Sequence, residues 1–170
     1  KLMIRLVKGA YWDTEIKRAQ MDGLEGYPVY TRKAYTDLSY LYCAQQLLTM
    51  TDVIYPQFAT HNAYTVAAIW HWAKAHDIHD YEFQCLHGMG DALYDQLVSD
   101  PQFGQSCRIY APVGTQQTLL PYLVRRLLEN GANTSFVNQV LDDSVMTEQL
   151  LKNPVEQAKA FEGMPHPDIP

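Results

Sequence analysis

Apolar positions along the chain fall into four short runs, separated by longer stretches in which they recur every three or four residues. The runs are Leu2 to Val7 (LMIRLV), Val53 to Phe58 (VIYPQF), Tyr81 to Leu86 (YEFQCL) and Cys107 to Val113 (CRIYAPV). Each is strand-length, carries β-branched or aromatic residues and ends in polar or glycine-containing sequence, which predicts a β-strand. Between the first two, Thr31 to Leu48 places Ala34, Leu38, Leu41, Ala44 and Leu48 on one helical face. Helices are likewise predicted over Asn62 to His76, with Asn62 as N-cap, over Gly90 to Val98, and over Thr118 to Asn130. The last of these stops at Gly131, a residue suited to a left-handed C-cap. Asp142 to Ala160 predicts one further helix or two short ones, and GMPHPDIP, with three prolines in its last six residues, reads as a linker.

Strand and helix therefore alternate, the signature of a parallel sheet with crossover helices. Strands buried on both faces also explain runs that are nearly continuous rather than cleanly alternating. An open sheet binding a dinucleotide usually carries a G-x-G-x-x-G turn after its first strand, and the HGMG after the third run does not match it. A (β/α)8 barrel typically needs ~250 residues and eight strands, whereas four are visible here and the chain starts on one. The economical reading is an α/β chain forming the second half of a TIM-type (β/α)8 barrel, four parallel strands with crossover helices, cut from a longer protein. Four strands cannot close a barrel, and two open edges invite pairing with other chains. The piece alone is expected to be inactive and poorly stable.

Composition narrows the function. Of 170 residues, 47% are hydrophobic and 19% charged, with a net charge of −6. That argues against a disordered chain and, since phosphate neutralisation needs a basic face, against nucleic acid as direct partner. No apolar run approaches the ~20 residues that span a bilayer, and KLMIRLVKGAYW lacks a signal peptide's apolar block, so export is not indicated. Cys43, Cys85 and Cys107 are far apart and odd in number, and read as buried thiols of a reducing compartment.

Barrel enzymes carry their chemistry at the C-terminal ends of the strands. Here those ends read Lys8-Gly9-Ala10-Tyr11-Trp12, with Arg5 inside the run; Thr60-His61-Asn62; His87-Gly88, with Gln84 inside; and Gly114-Thr115, with Arg108 and Tyr110 inside. Arg5 and Lys8 stand out, since unpaired charge is costly in a buried strand. They either pair with acids at the rim or donate to an anionic or electron-rich ligand. Donors and aromatics without an acid cluster suit a large polar cofactor better than a metal. His71, His76 and His79 are spaced by five and three, which does not match H-x-x-x-H on one face, so no metal is expected. The helix after the fourth run presents Leu119, Leu120, Leu123, Val124, Leu127 and Leu128 on one face and Tyr122, Arg125, Arg126 and Glu129 as a polar stripe. Two adjacent arginines beside a tyrosine can clamp a carboxylate bidentately, although an Arg125–Glu129 surface pair would explain the stripe equally well. Pro121 is tolerated in a first turn, which places the helix start near Thr118; an earlier start would force a kink.

RLVKGAYW, YPVYTRK, YPQFATHNA, YEFQCLHGMG, RIYAPVG and YLVRRLLENGANTSFVN, in one order over almost all of residues 1–141, together resemble the proline dehydrogenase domain of the bifunctional proline utilization A flavoenzymes. The resemblance implies a distorted (β/α)8 barrel holding FAD, oxidation of L-proline to Δ1-pyrroline-5-carboxylate, and electron transfer to membrane quinone. It also implies a cytoplasmic parent with peripheral inner-membrane association. Residues 1–141 would be the C-terminal half of the barrel, and 142–170 a helical segment and Pro-rich linker toward an aldehyde dehydrogenase domain that oxidises the product; the N-terminal half-barrel, with a pocket lysine and aspartate, would precede Lys1. By resemblance Arg125 and Arg126 would bind the proline carboxylate, Glu129 would hold the arginine pair, and Tyr110, Tyr122 and Leu86 would shape the pocket. Arg5 would lie near the flavin ring, with Val7, Lys8, Gly9, Ala10 and Trp12 lining the cofactor. Thr31, Arg32 and Lys33 would contact its phosphate and adenosine part, and Thr60, His61 and Asn62 would do similar work at the next strand end. Gln84 would bond the isoalloxazine edge, and Ser135 and Phe136 would close over the cofactor. The rival expectations are a non-catalytic half-barrel assembly module and a metal-dependent barrel hydrolase.

Overall fold

The computed structural model describes residues 1–9, 11–131 and 153–169, with residues 129–131 as backbone only. The elements are β1 (Leu2–Leu6), α1 (Trp12–Met21), α2 (Lys33–Leu48), β2 (Ile54–Ala59), α3 (Ala63–Ala75), β3 (Glu82–Leu86), α4 (Asp91–Ser99), β4 (Cys107–Tyr110), α5 (Gln116–Gly131) and α6 (Pro154–Ala160). The strands form one sheet in the order β1-β2-β3-β4, every neighbouring pair parallel. Each parallel step needs a crossover, and the helices supply it.

Register explains the division of labour between the two faces. Leu6, Phe58, Phe83 and Cys107 are successive partners across all four strands. All four belong to or pack against a core formed with Tyr40, Ala44 and Leu48 of α2, Val66, Ile69 and Ala73 of α3, and Tyr94 of α4. The strand period of two sends their neighbours to the opposite face. There Arg5 pairs with Gln57 and Gln57 with Glu82, while Gln84 pairs with Arg108 and Leu86 with Tyr110. One face is thus an apolar floor under helices, the other a polar surface. β1 and β4 stand three strand spacings apart, roughly 14 Å on a flat sheet, yet the Arg5 guanidinium lies 4.6 Å from the centre of the Tyr110 ring. The polar surface is therefore the concave side, the interior of a barrel wall.

Two buried tyrosines hold the floor to the helices. The Tyr40 hydroxyl reaches both Leu6 O and Ala59 O at 3.2 Å, and the Tyr94 hydroxyl donates to Thr60 O at 3.0 Å. Asn62 caps α3 as expected, its side chain accepting from Thr65 N at 3.0 Å.

Three features differ from the sequence expectation. Helix α1 was not anticipated, because only Ile16 and Ala19 are buried and its apolar pattern is too thin to register. Its signals are acids in the first turn, Arg18 in the last, and Gly23 at φ +65° closing the C-terminus through Gly23 N to Gln20 O and Leu24 N to Ala19 O. Helix α5 starts two residues earlier than predicted, at Gln116, and runs on through Pro121. Thr115 sets that start: its carbonyl accepts from Leu119 N at 2.9 Å, and its hydroxyl lies 3.4 Å from Thr118 N. The apolar face of α5 remains exposed at Leu120, Leu123, Val124, Leu127 and Leu128.

The third difference is at the end of the chain. Over its described part, the segment read as a linker folds back on the start of α2. Arg32 Nε donates to Met164 O and Pro165 O at 3.0 and 3.1 Å, and its guanidinium stacks 4.1 Å from the centre of the Phe161 ring. The Tyr35 hydroxyl reaches Met164 O at 3.2 Å, and His166 N donates to Thr31 Oγ1 at 2.9 Å. Helix α6, capped by the Asn153 side chain, packs against α2. Residues 142–152 lie outside the described residues.

Candidate active site

The concave face carries a continuous polar chain. Glu82, with its side chain 3% exposed, accepts on Oε1 from Gln57 Nε2 (2.9 Å), Gln84 Nε2 (2.8 Å) and Arg108 Nε (2.8 Å), and on Oε2 from Arg108 Nη2 (2.8 Å). The bidentate Arg108 contact, foremost among the causes, holds the Glu82 carboxyl below its ordinary range despite burial. Gln84 in turn accepts on Oε1 from Arg5 Nε at 2.8 Å. These residues come from all four strands.

Helix α5 brings its arginines to the strand tips of this face. The Arg125 guanidinium lies 5.1 Å from the centre of the Tyr11 ring, just past the end of β1, and that of Arg126 lies 5.5 Å from Tyr122. Both arginines are half-buried. Burial first, then the positive charges of Arg126 and Arg5, hold His61 below its ordinary pKa. His61 Nε2 accepts from Leu86 N at 3.0 Å, which requires an unprotonated nitrogen there. The imidazole is therefore a neutral bracket between the β2 and β3 tips. Tyr110 and Tyr122 are half-buried, and Leu86 is 5% exposed. Arginine, tyrosine, leucine and histidine side chains thus gather at one end of the sheet.

Gly90, at the N-terminus of α4, makes room for the bracket. A Cβ there would stand 2.9 Å from His61 Cδ2, 3.1 Å from Cys85 Cβ and 3.2 Å from Tyr94 Cδ2. Two of those neighbours, Cys85 and Tyr94, are buried and cannot retreat into solvent. Gly90→Ala is expected to displace His61 and to destabilise by about 1–3 kcal/mol, read as a lowered urea midpoint; an unchanged midpoint would show that the pocket relaxes freely.

Other residues expected at the site are engaged locally. Lys8 Nζ turns toward the helices, donating to Asp37 Oδ1 at 2.6 Å and Thr65 Oγ1 at 3.2 Å. Lys33 Nζ donates to Asp37 Oδ2 at 2.5 Å. Burial alone would raise the Asp37 carboxyl, but the ammonium groups of Lys8 and Lys33 outweigh it and hold it below its ordinary range. Thr60 Oγ1 accepts from Asn62 N at 3.2 Å, and Asn62 is the cap of α3. Thr31 and Arg32 hold the C-terminal segment, as described above. Trp12 Nε1 donates to Tyr30 O at 2.7 Å. Val7 is exposed, and among the described residues a Cβ on Gly9 would meet nothing within 4 Å. Ala10, Ser135, Phe136 and the side chain of Glu129 lie outside the described residues. Glu82 was not singled out in the sequence, and Tyr11 was placed at the first strand end without a role. For Glu82 the available signal was the period-two pair Glu82 and Gln84 within an otherwise apolar run.

Both depressed carboxylates predict acid sensitivity. In the unfolded chain they take up protons around their ordinary values of 4.5 for Glu82 and 3.8 for Asp37, and in the fold only at lower pH. Their contribution is complete above the unfolded values and is lost as pH falls through the folded ones. Glu82→Gln should therefore flatten the acid limb of a urea-midpoint against pH curve. Identical acid slopes with and without Glu82 would contradict this.

Among the described residues, no group of three His, Cys, Asp or Glu side chains is arranged to hold a metal ion, and no helix is long and apolar enough to cross a membrane. The parallel sheet and its crossover helices define part of an α/β barrel of the TIM type, and the candidate site lies at the carboxyl end of its strands. The family described as Proline dehydrogenase matches residues 1–139, and the chain belongs to that family. It is 62% identical to the bifunctional protein PutA of Escherichia coli K12, over 100% of this chain and 14% of that protein. It is 56% identical to PutA of Rhizobium meliloti, over 95% of this chain and 13% of that protein. Among solved structures, a Bradyrhizobium japonicum proline utilization A variant superposes with a TM-score of 0.93 at 56% identity, covering 100% of this chain and 17% of that one. Proline utilization A of Bdellovibrio bacteriovorus, inactivated by N-propargylglycine, superposes at 0.85 with 40% identity, covering 96% of this chain and 16% of that one. The chain spans about one-seventh of the length of the first of these relatives.

Proposed function

We propose that this chain is the C-terminal half of an FAD-dependent proline dehydrogenase barrel within a longer bifunctional protein, which oxidises L-proline to Δ1-pyrroline-5-carboxylate. The observation that carries the reading is the placement of Arg125 and Arg126 with Tyr11, Tyr110, Tyr122 and Leu86 around the strand tips. An arginine pair is a bidentate receptor for a carboxylate, and an aromatic and leucine wall suits a small apolar ring. Proline combines those two features.

The donors fit a flavin as well as a substrate. Arg5 is exposed on the concave face, where its guanidinium suits an electron-rich ring edge, and it is tied to the buried Gln84 amide behind it. Bound FAD would supply the two-electron acceptor for the oxidation. The chain's own residues do the rest. Arg125 and Arg126 bind the carboxylate, Tyr110, Tyr122, Tyr11 and Leu86 orient the ring and exclude water, and Arg5 offers positive charge beside the acceptor. Fixing the substrate in this way lowers the barrier by removing its freedom of orientation. His61 does not take the substrate proton in this scheme, since its acceptor nitrogen is occupied by Leu86 N.

In the proposal Arg5, Val7, Gly9, Ala10, Trp12, Lys33, Gln84, Ser135 and Phe136 line the cofactor. Lys8, Thr31, Arg32, Thr60, His61 and Asn62 shape the ground beneath it, in keeping with their internal bonds. Glu129 steadies the arginine pair. Electrons then pass to membrane quinone, the protein associates peripherally with the inner membrane, and the product goes to an aldehyde dehydrogenase domain of the same polypeptide. The test is proline-dependent dye reduction with added FAD, on this chain and on the full-length protein. A yellow full-length protein that reduces the dye only with proline supports the reading, and one without flavin absorbance or proline-dependent reduction overturns it.

A further inference from the structure

The site as proposed leaves the most buried charge of the concave face, Glu82, without a role. We propose that Glu82 is a positioning residue that fixes the orientation of the Gln84 amide and, through it, holds the Arg5 guanidinium in place. The inference rests on the reading of Arg5 and Gln84 as flavin-facing residues.

An ionised carboxylate only accepts hydrogen bonds, a guanidinium only donates, and a glutamine amide has one end of each kind. Gln84 lies between Glu82 and Arg5, with Nε2 at 2.8 Å from Glu82 Oε1 and Oε1 at 2.8 Å from Arg5 Nε. Only one amide orientation satisfies both neighbours. Arg108 and Gln57 complete the carboxylate's bonds and keep it ionised. The direction of donation therefore runs without a break from Arg5 to Gln84 to Glu82. Without the charge at position 82 the amide loses its directing partner. A flipped amide would face Arg5 with a second donor and release the guanidinium.

Charge balance alone explains Glu82 poorly. Two of its four hydrogen bonds come from the neutral amides of Gln57 and Gln84, and its side chain is 3% exposed. A buried ion pair is by itself a weak source of stability. Orientation of Gln84 accounts for the burial, because a carboxylate directs an amide best where water does not compete.

The experiment compares E82Q, R5M and the double variant in the full-length protein, with FAD dissociation constants measured by quenching of flavin fluorescence on apo-protein. E82Q is expected to weaken FAD about tenfold, the order for one hydrogen bond to a charged group, R5M at least as much, and the double variant no more than R5M alone. Multiplying losses would show that Glu82 acts independently of Arg5 and overturn the proposal. A crystal structure of E82Q gives a reading that does not depend on flavin: the contact from Arg5 Nε to Gln84 Oε1 should open beyond hydrogen-bond distance, and retention of the 2.8 Å contact overturns the proposal. If the unaltered protein bound no FAD, the flavin assignment would fail while this distance still decided the role of Glu82. Should E82Q not fold, E82D keeps the charge one methylene further back: the Arg5–Gln84 contact should persist if the shortened carboxylate still meets Gln84 Nε2 and should open if it does not, and an intact Arg5–Gln84 contact with Gln84 Nε2 detached from the carboxylate overturns the proposal.

Discussion

Replacing Arg125 or Arg126 by Met in the full-length protein should raise the KM for proline by about 10–100-fold, the loss expected for one charged hydrogen-bonded contact to a carboxylate, while flavin content stays unchanged. The expectation rests on geometry. Arg125 stacks on Tyr11 beyond the β1 tip and Arg126 on Tyr122 of its own helix, so each guanidinium is held at the rim by an aromatic face. Met keeps much of the length and apolar stem, so helix packing survives and only charge and donors are lost. An effect concentrated in KM would mean that the pair binds substrate and transition state alike, and an equal fall of kcat and kcat/KM would mean that it acts on the transition state alone. Unchanged proline saturation in both variants would sink the clamp assignment.

The second large effect lies on the other face of the sheet. Phe83→Ala should destabilise by about 3–5 kcal/mol, as for other buried aromatic truncations, and should weaken flavin retention with it. Phe83 is fully buried, with the rings of Tyr81, Phe103, Phe58 and Tyr94 centred 5.6, 5.7, 6.2 and 6.2 Å away. Its chain neighbours Glu82 and Gln84 point to the concave face, so the strand that loses its apolar anchor is the one that carries the polar chain. Phe83→Leu, which keeps most of the volume, should lose less than half as much. The urea midpoint and flavin content of the two variants decide the matter: loss of stability with full flavin retention would show that the two faces are not mechanically linked.

The particular elements show which information was local. All four strands fall within two residues of their apolar runs except at the C-terminal end of the fourth, which stops at Tyr110 rather than Val113. The Asn62 cap of α3 and the 3.6-residue periodicity of α2 were equally legible, because a cap and an amphipathic face are properties of neighbouring residues. Helix α1 was not, since it buries little and its start and stop signals sit in a polar segment. Pro121 argued for a start of α5 near Thr118, but the helix begins at Gln116, where the Thr115 carbonyl takes Leu119 N and its hydroxyl lies 3.4 Å from Thr118 N.

The site divides along the same line. The types of its residues, and their place at strand ends and on one helical stripe, could be read along the chain. Their partners could not. Lys8 meets Asp37 from 29 residues away, Arg32 grips a segment more than 130 residues further on, and Glu82 finds Arg108 across the sheet at a separation of 26. By itself the sequence determined a parallel α/β layout and a paired-arginine helix, because periodicity, caps and strand-forming residues act over a few positions. Only the tertiary structure decided which donors face the concave surface and which are consumed within the fold. Hydrogen-bond direction and charge pairing depend on distances that strand register and sheet curvature set, and residues remote along the chain share those distances only after folding.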